Sequence, residues 1–100
     1  MEFLMNYNIT SEDVNNIVMN NNEFVIKNVI ANKDRVKEVI EYLMELGVTS
    51  SAIKEMFIYQ IGIFYKTKDE IRDAFDEYEI DSIVKSLNYD ANTLDLIEFN

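Results

Sequence analysis

Met56-Phe57-Ile58-Tyr59-Gln60-Ile61-Gly62-Ile63-Phe64-Tyr65 is apolar at eight of its ten positions, and its reading decides the fold. The stretch 58–65 has enough Ile and Tyr to pass for strands. Two strands with no further partners are marginal in water, so helix is the better expectation. A helix that is apolar all round lies either at the centre of a protein or at an interface. Both readings stand at this point. In one the segment is the core; in the other Ile58, Tyr59, Ile61 and Tyr65 face a second subunit or another partner, where aromatic anchors carry binding energy.

The flanks of this stretch read as helical. Upstream, Val36, Val39, Ile40, Leu43 and Met44 form an apolar stripe, with Lys33, Lys37, Glu38, Glu41 and Glu45 off it. Asn32 stands where a cap would, and Gly47 is the natural left-handed stop. Thr49 or Ser50 then caps a helix bearing Ile53, Met56, Phe57 and Gln60, and Gly62 is the next expected stop. Downstream, Thr67-Lys68-Asp69-Glu70 is a capping box. It predicts a helix over 68–78 with Ile71, Ala74, Phe75 and Tyr78 inward. Asp81 or Ser82 caps a short helix with Ile83, Val84 and Leu87; Asp90 or Asn92 caps a last one with Leu94 and Ile97.

Near the start, Thr10-Ser11-Glu12-Asp13 precedes Val14, Ile17 and Val18 and predicts a helix over 11–20. Asn20-Asn21-Asn22 ends it, because Asn favours turns over helix interiors. Phe24, Val25, Ile26, Val29 and Ile30 make an apolar segment of open type. The chain has no Pro and two Gly. Together these patterns predict one all-α domain over 1–100, a compact bundle of five or six short helices.

Two stacked repeat units are one way to order those helices. Ile9-Thr10-Ser11 with Val14, Ile17, Val18, Phe24 and Val25 matches Val48-Thr49-Ser50 with Ile53, Met56, Phe57, Ile63 and Phe64 at an offset of 39. Lys33-Asp34, Val36, Val39, Ile40 and Leu43 match Lys68-Asp69, Ile71, Ala74, Phe75 and Tyr78 at an offset of 35. The bland account is that any amphipathic helical hairpin yields such matches. Leu43-Met44-Glu45-Leu46-Gly47-Val48 with Ile53, Met56, Phe57, Phe64, Ile71 and Phe75 resembles the helical repeat of the mitochondrial transcription termination factor family. That resemblance implies three-helix units of about thirty residues, stacked into a solenoid that binds nucleic acid. The repeat's usual Pro would fall near Asn22 and Ile61, and its basic groove is absent. The stretch 43–56 also resembles the first helices of small ubiquitin-binding three-helix domains. A helix–Gly–helix geometry is what these likenesses share.

Composition excludes much. The 100 residues include no Cys, His or Trp. Disulfides, thiolate nucleophiles, Cys-based metal sites and the commonest general base are therefore all missing. No Gly-rich phosphate loop is present. An EF-hand loop starting at Asp76 fails, because its third, fifth and twelfth places hold Tyr78, Ile80 and Leu87. The expectation is a protein without catalysis, cofactor or metal. No apolar run reaches membrane-span length, and the N-terminus lacks a secretory pattern, so a cytoplasmic location is expected. The Asn-, Ile- and Lys-rich composition suits an AT-rich genome, such as a phage or low-GC bacterium.

Charge supplies the positive signal. The formal net charge is −10. Residues 1–68 hold nine acids and seven bases, whereas 69–100 hold ten acids and two bases. Asp69, Asp73, Asp76 and Glu77 fall on one face of the predicted helix; Glu70 flanks it, and Glu79 and Asp81 extend the charge past its end. Like charges four apart cost about 0.2–0.5 kcal/mol per pair, and acids in a last turn oppose the helix dipole. The stripe 69–77 would span about 12 Å, the scale of a few phosphates at about 3.4 Å each. One reading is a solvated face kept for solubility. The other is a surface for a basic protein partner, with Asp69, Glu70, Asp73, Asp76, Glu77, Glu79 and Asp81 in contact. The leading expectation is thus a small acidic inhibitor or adaptor, in its sharpest form a nucleic-acid mimic. The alternatives are a nucleic-acid-binding helical repeat using Lys33, Arg35, Lys37, Lys54, Lys66 and Lys68, and a self-associating subunit, a homodimer through 56–65. Direct nucleic-acid binding sits poorly with the charge, since Lys and Arg carry phosphate affinity.

Overall fold

The computed structural model describes residues 1–99. Among them are six α-helices, three 3-10 segments and no strand. The helices are α1 (Ser11–Met19), α2 (Glu23–Ala31), α3 (Lys33–Leu46), α4 (Ser50–Tyr59), α5 (Lys68–Phe75) and α6 (Ile80–Tyr89). The 3-10 segments are Glu2–Tyr7, Ile61–Tyr65 and Ala91–Leu96.

Local chemistry accounts for most of the boundaries. Thr10, Thr49 and Thr67 each accept an amide bond at the start of their helix, and Thr10 and Thr67 complete full capping boxes with Asp13 and Glu70. Gly47 ends α3 at φ 109°, a left-handed conformation natural to glycine. The open segment 24–30 lies in α2, whose cap is Asn22.

Four expectations need correction. Asn32 holds the N-cap position of α3, but its side chain makes no cap bond there; its Nδ2 donates back to the Asn28 carbonyl at 2.9 Å, closing the end of α2 instead. Gly62 is not a left-handed stop but lies inside the 3-10 turn. α5 ends at Phe75 rather than 78, leaving Tyr78 exposed. Glu79, not Asp81 or Ser82, is the N-cap residue of α6; the Ser82 hydroxyl donates to the Glu79 carboxylate. The last predicted helix is the 3-10 segment, capped by Asp90 as expected, with Leu94 and Ile97 buried.

The decisive stretch turns inward. α4 ends at Tyr59, and Gln60 leaves the helix at φ −136°. Its Nε2 donates to Asn92 Oδ1 at 2.9 Å and Asp95 Oδ1 at 3.1 Å, tying this break to the C-terminal 3-10 segment. The chain then folds back so that Phe64 stacks on Phe57, with ring centroids 3.8 Å apart and planes 5° from parallel. Both rings are fully buried. Around them lie Met56, Ile53, Ile40, Leu43, Ile71 and Phe75, also fully buried, in a single apolar core. No polar or charged residue is buried among the described residues. α4 is the hub, packing on α1, α6 and both later 3-10 segments. The radius of gyration, 12.7 Å, is that of a close-packed domain of this length.

Removal of a stacked ring tests this centre. Phe64→Ala is expected to cost about 3–5 kcal/mol in urea unfolding, and exposed Tyr59→Ala about 0.5 kcal/mol or less. A Phe57/Phe64 double-mutant cycle should return a coupling of about 0.5–1.5 kcal/mol.

Candidate functional site

All seven predicted acids, Asp69, Glu70, Asp73, Asp76, Glu77, Glu79 and Asp81, are exposed. The structure divides them by what else they do. Arg72 lies 3.1 Å from Asp69 and 4.0 Å from Asp73, so one guanidinium serves two carboxylates. Exposed pairs of this kind contribute about 0–1 kcal/mol. Glu70 and Glu79 are engaged at helix starts, by the Thr67 amide at 3.0 Å and by the Ser82 hydroxyl. Asp76, Glu77 and Asp81 have no ion-pair partner among the described residues. Asp76 is the C-terminal cap residue of α5, Glu77 follows in the turn, and Asp81 lies in the first turn of α6. The expected continuous stripe is thus a short helical face, Asp69 and Asp73, that runs into an acidic turn.

Backbone and charge set the electrostatics. The Thr67 amide holds the Glu70 carboxyl below its ordinary range, aided by the Thr67 side chain and by nearby Lys66 and Arg35. On α3, burial raises the Tyr42 hydroxyl above its ordinary range, and the charge of Asp76 raises it further, against the opposing pull of Arg72. Asp76 therefore acts across the α3–α5 contact. No group of three or more acids converges closely enough to hold a metal ion among the described residues.

The apolar candidates separate. Ile58 and Ile61 are half-buried and pack on the core, whereas Tyr59 and Tyr65 are exposed. The basic candidates are mostly turned toward protein groups. Lys66 sits 4.7 Å from the Phe99 ring centre and Lys68 5.7 Å from that of Tyr42. Arg35 reaches the Phe64 carbonyl at 3.5 Å, and Lys54 lies 3.8 Å from Glu55.

The reading of residue patterns missed a surface. Between α6 and the Ala91–Leu96 segment runs a groove with exposed Tyr78 and Leu96 at one end and exposed Tyr89 at the other. The exposed tyrosines and Leu96 are individually ordinary in sequence; only the packing of the last two elements brings them together. No protein-family model matches this chain, nor does any curated protein or solved structure. No helix among the described residues is long and apolar enough to cross a membrane.

The Glu70 cap gives a pH test. Its lowered folded-state pKa means that its stabilisation is present above the unfolded-state value and is lost as pH falls through the folded value. Glu70→Gln is expected to flatten the acid limb of stability below the ordinary glutamate range, measured by urea midpoints across pH.

Proposed function

We propose that the protein is a small acidic binding module, an inhibitor or adaptor, whose 69–81 surface engages a basic surface on another protein. The basic surface of a nucleic-acid-binding protein is the fitting target of such an acidic face. The observation that carries this reading is the exposed trio Asp76, Glu77 and Asp81, without ion-pair partners among the described residues, from the α5–α6 turn into the first turn of α6. Asp81, in the first turn of α6, suits that helix's dipole, but Asp76 and Glu77 follow the last turn of α5, where a chain selected only for stability would place Lys or Arg. The trio's desolvation cost on binding is offset only where the partner supplies cations, which gives both steering and selectivity.

The experiment separates this surface from bulk charge. Partners captured from source-cell extract by the immobilised protein are identified at low salt and recaptured with two variants. Asp76/Glu77/Asp81→Lys is expected to weaken capture of the specific partner at least about tenfold, a loss of about 1.4 kcal/mol. Glu2/Glu12/Glu38→Lys changes the net charge equally at other exposed elements and is expected to retain the partner. Equal loss from both variants would reduce the surface to a solubilising charge.

A further inference from the structure

The groove beside the acidic turn has a composition that selects its occupant. One part, about 210 Å³, is walled by Tyr78, Ile83, Leu96 and Ile97. A larger part, about 650 Å³, reaches Tyr89 and Asp90. Ser86 and Thr93 line both, so the two parts adjoin at this pair along α6. The groove's floor asks for no polar partner at Thr93, whose hydroxyl donates to the Ser86 carbonyl at 3.2 Å. Leu96 is 78% exposed and Tyr89 92%, so large apolar surfaces stand open at both ends. Along α6, from Ile80 to Tyr89, the two parts together extend for about 14 Å, room for about four extended residues.

The rim is acidic. Glu79 and Asp90 line the groove, Asp76 and Glu77 adjoin Tyr78, and Asp95 and Glu98 flank Leu96 and Ile97 in sequence. Lys85 is the one cation lining it among the described residues. A second copy of the chain would bring the same surplus of acid to this rim, so like charge disfavours a symmetric pairing through it.

We infer that this groove takes a short cationic peptide segment bearing apolar side chains, with Tyr78, Leu96 and Tyr89 as its anchor points. The inference rests on the binding-module reading and adds to it an apolar seat beside the acidic turn. Charge draws the segment in; apolar side chains entering the groove hold it. Burying a leucine tightens binding by about tenfold or more, enough to distinguish an anchored segment from one held by charge alone.

Two synthetic probes test it by fluorescence anisotropy: a Lys/Leu peptide, and a counterpart of equal charge with every Leu replaced by Ser. The Lys/Leu peptide is expected to bind about tenfold more tightly and to shift the Ser86 and Thr93 amide resonances. Leu96→Asp, at an exposed position, provides the sharper contrast. It adds negative charge, so pure electrostatics would tighten both probes, whereas the anchor predicts about tenfold weaker binding of Lys/Leu alone. Equal affinity for the two probes, or tightening of both by Leu96→Asp, would overturn the groove and leave the acidic surface standing. Absence of binding by either probe, at low salt, would remove both. Sedimentation as a dimer that Leu96→Asp dissociates would assign the groove to a second copy and also overturn the inference.

Discussion

Phe57 and Phe64 are seven positions apart. In one uninterrupted helix they would stand about 10 Å apart along the axis, yet their ring centres are 3.8 Å apart. The stack therefore requires the helix to break between them. Gln60 makes the break, and its side chain is fastened to Asn92 and Asp95. The core is built around that fold-back. α4 delivers Ile53, Met56 and Phe57 from one side, the 3-10 turn returns Ile63 and Phe64 from the other, and the remaining helices close over them.

An entirely apolar core places the charge outside. Burying a carboxylate without a partner is costly, and this domain buries none among its described residues. What requires explanation is therefore the uneven distribution of charge over the surface. Arg72 and the helix starts engage the early members of the acidic set, leaving the excess at the α5–α6 turn. The apolar part of the groove, walled by Tyr78, Ile83, Leu96 and Ile97, begins at the same turn. Charge and apolar exposure thus meet on the surface of the last third, whose 3-10 segment is tied to the end of α4 through Gln60.

The features legible in the sequence are those encoded within a few residues. Thr10, Thr49 and Thr67 act through bonds to amides three residues on, and Gly47 acts through its own φ, so each could be read directly. The all-α class followed from the same local signals. The seven acids could be listed, but their division into engaged and unengaged groups depends on Arg72 geometry and the early end of α5. Gln60, Gly62 and Asn32 were misread for a common reason: competing contacts decide them, through Asn92 and Asp95, the Phe stack and the end of α2 respectively. The groove was illegible because its two walls are separate elements, neither of which shows a special pattern alone.

Gly47 carries a consequence beyond ending a helix. Asn88 of α6 donates to the Gly47 carbonyl at 3.0 Å and accepts the Thr49 amide at 2.9 Å. A β-carbon at Gly47 would lie 3.4 Å from Val84 Cγ1, also on α6. The loop between α3 and α4 is thus a mould for α6, cast in glycine and held by an asparagine. The groove's outer wall takes its position from residues some forty places earlier in the chain. A change confined to that loop would tilt the wall without altering a single side chain that lines it.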